Sequence, residues 1–349
     1  MTTTTAPVRM LLAGAGLIGR RHAAAMRAAG DVRLAAVADP AEAGARLAGE
    51  HGVPHHADLD SALAAGGLDA VVLATPSALH VEGAARVIAA GLPVLVEKPL
   101  ATTVADARRM VEAAERACVP LATGHHRRHN PILAQAKRFV EDGALGRVVA
   151  AHASAWLCKP DDYFAPPWRR QAGAGPVLTN LIHDIDALQW LCGPIVEVAG
   201  LASNAVRGHE PEDTAVASVR FEGGALGTLT ASDTAVAPWS WELTARENPA
   251  YPPTGEGCAW IAGTHGSLSV PDLALWRQPG ARGWWEPIAA ERHPVAHADP
   301  LVAQLQQFAA VARGRAAPVA SGRDGLRALA VVEAMTRSAA SGRRETVEA

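Results

Sequence analysis

The stretch VLVEKPL, residues 94–100, places two groups capable of acid–base chemistry at the end of an apolar run. The run is suited to a buried strand, and Pro99 cannot continue a sheet. Between them stand Glu97 and Lys98. An amine there can donate to a substrate oxygen and stabilise charge that develops on it, while the carboxylate can hold the amine or balance its charge. Strand ends also carry charges simply because they reach solvent, so a catalytic role for Glu97 and Lys98 needs support from other parts of the sequence.

A second group of polar side chains lies in GAGPVLTNLIHDIDALQWLCG, residues 173–193. Apolar residues recur there at helical spacing, and Pro176 suits a first turn, so the pattern predicts a helix. Residues three and four apart share a face, which predicts a stripe of Thr179, His183, Asp186 and Trp190. Histidine exchanges protons near neutral pH, although a histidine beside an apolar face is often structural. Asn180, next to this stripe, is a candidate contact for substrate hydroxyls.

A glycine motif follows the first predicted strand and opens a helix. In this context GxGxxG predicts a dinucleotide site, with free N–H groups at the helix start for a pyrophosphate. The motif comprises Gly14, Gly16, Leu17, Ile18 and Gly19. Asp39 follows by about 20 residues, the spacing of a ribose-binding acid. Its charge would repel a 2′-phosphate, and the next residues, PAEAG, contain no arginine, so we expect NAD rather than NADP.

The elements that must position these groups alternate between strand and helix over the first 123 residues. Such alternation predicts a parallel, doubly wound sheet, whose ligands bind beyond the carboxyl ends of the strands. Every unusual polar group falls at such an end, including Glu97 and Lys98, which we expect to border the nicotinamide. Further cofactor candidates follow the strand that ends near residue 74: Thr75, Pro76, Ser77 and His80.

Length and composition limit the remaining choices. A chain of 349 residues, 49% hydrophobic and 19% charged, predicts about two globular domains. The formal net charge of −3 favours neither nucleic acid nor an anionic membrane, and no apolar run is long enough to span a bilayer. The four cysteines form no CxxC pair and are typical of reduced thiols. We therefore expect a cytoplasmic protein.

In the second half of the sequence, alternating apolar and polar residues predict antiparallel strands that are joined by turns at Gly-containing residue pairs. A free aromatic face of such a sheet favours a homo-oligomer, either dimer or tetramer. The segment 152–172 is rich in aromatic and charged residues, and Tyr163, Trp168 and Arg169 are candidates to line a polyol pocket or, equally, to cover the sheet. The histidines of GHHRRHN, residues 124–130, have no acidic or cysteine partner nearby, so we expect no metal; Arg127 is a candidate substrate contact.

Three stretches together resemble the Gfo/Idh/MocA family of oxidoreductases: AGAGLIGRRHAAAM, ATPSALHVEGAARVIAAGLPVLVEKPLATT and DGALGRVVAAHA. The EKP motif is the most telling of them. The resemblance implies an N-terminal Rossmann domain and a C-terminal α/β domain with a large open, mainly antiparallel sheet. We place these at residues 1–124 and 125–349. It also implies a nicotinamide cofactor, a sugar, inositol or related cyclic alcohol as substrate, and Lys98 as the catalytic lysine.

The same resemblance places His183 at the family's catalytic histidine. Thr179 stands where the family has an aspartate, a departure that removes a negative charge from the site. We therefore expect an NAD-dependent dehydrogenase acting on CH–OH groups, with Lys98 and His183 catalytic. The altered position leaves open a nucleotide-sensing or regulatory binding protein. A dihydrodiol dehydrogenase or an NAD-dependent glycosidase on the same frame also remains open.

Overall fold

The computed structural model describes residues 6–349, and the chain divides into two compact units. The first contains the chain up to Asn130 together with Ala298–Leu326. Its six strands all pair in parallel, in the order β3-β2-β1-β4-β5-β6. They are β1 (Val8–Ala13), β2 (Val32–Ala38), β3 (His55–His56), β4 (Ala70–Leu73), β5 (Val94–Val96) and β6 (Leu121–Thr123). The predicted parallel, doubly wound sheet is confirmed; the two-residue strand β3 is an addition to it.

Five helices connect these strands. They are α1 (Leu17–Ala28), α2 (Glu42–His51), α3 (Leu59–Ala65), α4 (His80–Ala89) and α5 (Val104–Arg116). Side-chain caps fix two of the starts: Asp58 accepts from the N–H of Ser61, and Thr103 accepts from that of Asp106. All of β4 and β5 is buried, as expected for parallel strands covered on both faces.

The second unit contains Pro131–His297 and Arg327–Glu348. Its nine-stranded sheet has the order β14-β13-β12-β11-β7-β10-β9-β8-β15. The strands are β7 (Val148–Trp156), β8 (Ile195–Ser203), β9 (Thr214–Phe221), β10 (Leu226–Ser232), β11 (Ala259–Gly263), β12 (Ser267–Val270), β13 (Ala274–Arg277), β14 (Ala289–Arg292) and β15 (Glu345–Thr346). Only β7 and β10 run parallel, so the predicted mainly antiparallel sheet is confirmed.

The remaining helices are α6 (Pro131–Glu141), α7 (Ile182–Cys192), α8 (Trp241–Thr244), α9 (Pro300–Ala312) and α10 (Gly322–Ser341). A π-helical turn, Val177–Leu181, precedes α7 and is closed by a hydrogen bond from the Ile182 N–H to the Val177 carbonyl. Across residues 6–349, no helix combines the length and the apolar character needed to cross a bilayer.

The division into units differs from the predicted boundary at residue 124 in two respects. Residues 125–130 stay with the first unit, where the 3-10 turn His126–His129 packs on α9. The segment 298–326 also returns to that unit, because Leu301, Leu305 and Phe308 of α9 are buried in its core. The linear order of elements carries no sign of that return, since an apolar helix face fits either core.

Candidate active site

The glycine turn after β1 is built for the close approach of a ligand. Gly14 has φ +101°, and a methyl group built on it would lie 2.5 Å from the Ala74 carbonyl oxygen. A methyl on Gly19 would lie 2.0 Å from the Gly14 carbonyl oxygen, so helix and strand pack there without side chains. Gly16, by contrast, faces open space and is the N-cap of α1 with no side-chain cap. The first N–H groups of α1 are therefore left accessible to an anion, which fits the pyrophosphate of a dinucleotide.

Asp39 is attached to that turn. Its Oδ2 accepts from the N–H of Ala15 at 2.7 Å, and its Oδ1 accepts from the N–H of Ala41 at 2.8 Å. Each carboxylate oxygen retains a second lone pair, so the group can still accept ribose hydroxyls. The structure thus brings the predicted ribose-binding acid to the predicted pyrophosphate turn.

The loop after β4 borders the same sheet edge. Thr75 is half-buried and Ser77 half-buried beside the exposed Pro76, at the start of a 3-10 turn. His80 is buried, with Nε2 2.9 Å from the Thr75 carbonyl oxygen and Nδ1 3.0 Å from that of Pro99. Burial lowers the pKa of His80, although these contacts oppose the shift. His80 thus braces one loop of the site against the turn that follows Lys98.

Lys98 is half-buried directly beyond β5, at the carboxyl edge of the parallel sheet. Its backbone N–H donates to Oε2 of Glu97 at 3.1 Å, and Oε1 of Glu97 lies 2.7 Å from Nε2 of His22. Both carboxylate oxygens of Glu97 are thus engaged inside the first unit. Arg127, also in this unit, is 3% exposed. The predicted groups of the N-terminal domain, from the glycine turn to Lys98, therefore lie on one edge of one sheet.

In the second unit, His183 is buried in the first turn of α7. Thr179 lies in the π-helical turn before it, where an extra residue per turn changes the side-chain directions assumed for a regular helix. The Thr179 hydroxyl accepts from Lys159 Nζ at 3.1 Å and lies 2.9 Å from the Gly175 carbonyl oxygen, to which it donates. The Nδ2 group of Asn180 donates to Glu242 at 3.2 Å.

Lys159 belongs to a buried charge cluster at the end of the parallel strand pair β7 and β10. It is 7% exposed, and its Nζ lies 3.9 Å from Asp233 Oδ2. Arg207 donates from Nε to Asp233 at 2.7 Å and from Nη2 to the Lys159 carbonyl at 2.8 Å. Glu212 accepts from the N–H of Val177 at 3.1 Å, and burial together with Asp233 raises its pKa against the opposing effect of that hydrogen bond and of Lys159.

The predicted aromatic candidates form one corner of the second unit. The Arg169 guanidinium lies 4.0 Å from the centre of the Tyr163 ring and 5.2 Å from that of Trp168. Its Nη1 also donates to the Tyr163 carbonyl at 2.6 Å. Lys159 Nζ approaches the same Tyr163 ring at 5.0 Å. Burial raises the pKa of the Tyr163 phenol. Trp168 remains 56% exposed, so it is available for contact with a ligand.

The histidines of residues 124–130 lie within the first unit. Burial, with repulsion by His126 and Arg128, lowers the pKa of His129 to about 4, so that ring is neutral near pH 7. Arg128 is occupied by the Val319 carbonyl at 3.0 Å and by Asp324 at 3.2 Å. Among residues 6–349, no three His, Cys, Asp or Glu side chains are arranged to hold a metal ion.

Sequence reasoning gave no role to His22 or Asp233, and it did not distinguish Lys159 from the other residues of the aromatic and charged segment 152–172. His22 lies on the buried face of α1, where an apolar residue is expected, and this mismatch was the available signal. Lys159 and Asp233 follow two strands that pair in parallel, with Trp156 opposite Ser232. The parallel pairing places Lys159 and Asp233 at one edge of the sheet. The sequence does not predict this pairing, because the other strand pairs of the sheet are antiparallel.

A dinucleotide turn at the edge of a parallel sheet, followed by a lysine at a strand end, defines an NAD-binding oxidoreductase. Two family models agree with this conclusion. Residues 8–125 match the model of the oxidoreductase family with an NAD-binding Rossmann fold, and residues 133–269 match the GFO/IDH/MocA C-terminal domain. The chain belongs to the Gfo/Idh/MocA oxidoreductase family and uses NAD.

Individual relatives extend over nearly the whole chain. The chain is 31% identical to the rhizopine catabolism protein MocA of Rhizobium meliloti, with 94% of each chain covered. It is 30% identical to an inositol 2-dehydrogenase of Streptomyces avermitilis, over 96% of this chain and 93% of the relative. The WlbA dehydrogenase of Bordetella pertussis, solved in complex with NADH and UDP-GlcNAcA, is 30% identical with a TM-score of 0.79, covering 98% of this chain and 99% of that one.

Proposed function

We propose that this chain is an NAD-dependent dehydrogenase of a sugar, an inositol or a related cyclic polyol, with Lys98 and His183 as its catalytic residues. The observation that carries this proposal is the position of Lys98, half-buried at the carboxyl end of β5 on the sheet edge that bears the glycine turn. The relatives named as inositol 2-dehydrogenase and as a dehydrogenase complexed with NADH and UDP-GlcNAcA support the substrate class.

The chemistry follows from what each group can donate or accept. When bound, NAD supplies the hydride acceptor. Oxidation of a CH–OH group also requires the hydroxyl proton to leave, and negative charge develops on the oxygen as it does so. Lys98, as an ammonium, stabilises that oxygen by donating a hydrogen bond, while His183 takes up the proton. In the reverse direction His183 returns the proton to the carbonyl oxygen, and Lys98 again donates a hydrogen bond to that oxygen.

The remaining predicted contacts take supporting roles in this proposal. Asp39 accepts the ribose hydroxyls, and the loop residues Thr75 and Ser77 border the cofactor. On the substrate side, Tyr163 and Trp168 offer ring faces to C–H groups, and Arg169 and Asn180 offer donors to hydroxyls. The exposure of Trp168 and the ordered stacking of Arg169 on Tyr163 support this assignment.

We also propose that the open face of the nine-stranded sheet is covered by a second copy of this chain. Strand β9 alternates strictly: Ala215, Ala217, Val219 and Phe221 are buried, whereas the intervening residues are exposed. The exposed side carries Val216, and Leu226, Trp260 and Trp276 line a depression of about 830 Å³ there. Contiguous apolar surface on an open sheet is typical of subunit interfaces. None of the four cysteines forms a disulfide bond within residues 6–349, which supports a cytoplasmic location.

The test of function is direct. The purified protein is incubated with NAD and a panel of inositols, aldoses, sugar nucleotides and cyclic dihydrodiols, and the absorbance of NADH is followed. We expect NADH to form from NAD with at least one polyol, and we expect less NADPH to form from NADP at the same concentration. Tight NAD binding with no turnover of any compound would instead favour a regulatory binding protein. Glycoside cleavage without net NADH would favour a glycosidase.

A further inference from the structure

A buried hydrogen bond joins the helix of the glycine turn to the strand end that carries Lys98. Nε2 of His22 lies 2.7 Å from Oε1 of Glu97, and the two side chains are 0% and 6% exposed. His22 belongs to α1, one turn beyond Gly19, whereas Glu97 directly follows β5. Strand β4 lies between β1 and β5 in the sheet. The contact therefore joins the helix that follows β1 to the end of a strand that is not paired with β1.

The Glu97 carboxylate is held from several directions. Its Oε2 accepts from the backbone N–H of Lys98 at 3.1 Å, and the Glu97 N–H donates to the Leu73 carbonyl at 2.9 Å. Gly124 leaves the room that the group needs, because a methyl there would lie 2.6 Å from Oε2. One carboxylate oxygen is thus fixed by α1 and the other by Lys98 itself, so a displacement of the helix is passed to the lysine backbone.

The carboxylate is charged at neutral pH. Burial alone would raise the pKa of Glu97, but the hydrogen bond and charge of His22, with smaller contributions from His126 and Lys98, hold it at about 2. Hydrogen bonds to an ionised acceptor are shorter and stronger than neutral ones. The charges of Glu97 and Lys98 attract each other, and this attraction favours the ammonium form of Lys98.

We propose that His22 and Glu97 form a positioning pair that fixes Lys98 relative to the helix on which the cofactor's pyrophosphate binds. In this proposal the pair acts through Lys98, and the inference therefore rests on the proposed function. Hydride transfer from a CH–OH group requires the amine to reach the oxygen while the nicotinamide reaches the carbon of the same group. A misplacement of about 1 Å can lower a rate about 100-fold, so a direct link between the two binding elements has a measurable consequence.

Two substitutions of His22 distinguish a role of its hydrogen bond to Glu97 from a role of its side-chain volume alone. Glutamine places its amide nitrogen near the position of Nε2 and keeps a neutral donor to Glu97. Asparagine ends near the position of Nδ1 and does not reach the carboxylate. We expect His22→Gln to keep kcat within a few-fold of the wild type, and His22→Asn to lower kcat about 10- to 100-fold. KM for the polyol and the Kd for NAD, measured by calorimetry, should change only a few-fold in both.

A matched control measures what lost packing alone does. Met26 is buried on the same helix and makes no hydrogen bond to Glu97, so Met26→Ala destabilises α1 without breaking the pair. We expect this variant to lower Tm and to leave kcat within a few-fold of the wild type. A kcat for His22→Asn that equals that of His22→Gln, or a loss no greater than that of Met26→Ala, overturns the proposal.

The pH profile gives a readout that a purely structural role would not move. Glu97→Gln keeps the shape of the side chain and removes its charge, so the Lys98 ammonium loses a favourable neighbour. We expect the basic limb of kcat against pH to move to lower pH, and an unmoved limb overturns the proposal even where His22→Asn fails to fold. If the wild-type protein does not reduce NAD with any polyol, the proposed function itself is contradicted. That outcome differs from an active wild-type enzyme whose His22 and Glu97 variants have unchanged kinetics, which contradicts only the positioning pair.

Discussion

The ammonium of Lys159 lies 3.1 Å from the hydroxyl of Thr179, the residue that the sequence resemblance places at the family's aspartate position. The hydroxyl can accept from this donor but carries no charge to balance it. The carboxylate of Asp233 lies 3.9 Å from Lys159 Nζ, and it also binds Arg207 at 2.7 Å. The departure at residue 179 therefore comes with a buried amine next to it, and the two positions are expected to depend on each other.

A double-mutant cycle measures that dependence. Thr179→Asp in the wild-type background places a carboxylate beside Lys159 and should change the free energy of unfolding by less than about 1 kcal/mol, because attraction to the buried ammonium offsets the desolvation of the new charge. The same change in a Lys159→Met background leaves a buried, unbalanced carboxylate and should cost about 3–5 kcal/mol. Chemical denaturation of the four proteins gives the coupling, with Thr179→Val as the control for loss of the hydroxyl. Additive effects would show that the two side chains do not interact.

Lys98→Met tests the catalytic amine. Methionine keeps much of the apolar stem and removes the charge and all three donors, so kcat should fall about 100-fold or more. NAD affinity should change only a few-fold, because the glycine turn and Asp39 hold the rest of the cofactor. Steady-state kinetics and calorimetric NAD titration give both quantities, and Lys137→Met serves as a control lysine of the other unit. A kcat within a few-fold of the wild type would return Lys98 to the role of a solvated strand end.

The Rossmann half could be predicted from sequence because its determinants are local. Strand, glycine turn and helix follow one another between Val8 and Ala28, and the parallel sheet then places every strand end at one edge. The second half was predictable only as a class of sheet. Its parallel pair, the π-helical turn at Val177–Leu181 and the return of α9 to the first core depend on contacts between residues far apart in the chain. The His22–Glu97 bond, over 75 positions, is of the same kind.

Asp39 should set the preference for NAD over NADP. Asp39→Asn retains the side-chain shape and one acceptor for the Ala15 or Ala41 N–H, but it removes the charge that repels a 2′-phosphate. We expect kcat/KM with NADP to rise relative to NAD by about 10-fold, the effect of roughly 1.4 kcal/mol. Asp39→Ala should also reduce the difference in kcat/KM between NAD and NADP. It should weaken NAD binding as well, since the Ala15 N–H of the glycine turn loses the carboxylate that accepts its hydrogen bond. A wild-type preference for NADP would contradict this role.

The buried carboxylate of Glu97 should make stability depend on pH in the acid range. Its pKa is lowered from 4.5 to about 2 in the folded protein, so the charged form stabilises the fold above pH 4.5 and this contribution is lost as pH falls toward 2. A shift of that size corresponds to about 3 kcal/mol. Urea denaturation of wild type and Glu97→Gln should show a difference that is constant from pH 7 to about 5 and shrinks below that. A difference that is the same at pH 3 and pH 7 would show that Glu97 is not held as an ion.

The open sheet face gives the last prediction. Trp260 on β11 is 43% exposed, and its ring lies 5.4 Å from the stacked ring of His152, so it presents a rigid apolar surface. Trp260→Glu places a charge at the centre of that surface and should shift the protein to monomers, because an unpaired charge is costly to bury at an interface. Light scattering coupled to size-exclusion chromatography reports the mass. Leu79→Glu, at an exposed apolar residue of the first unit, is the matched control and should leave the mass unchanged. If Trp260→Glu retains the wild-type mass while remaining folded, another surface joins the subunits, and a wild type that runs as a monomer at high concentration would exclude the assembly altogether.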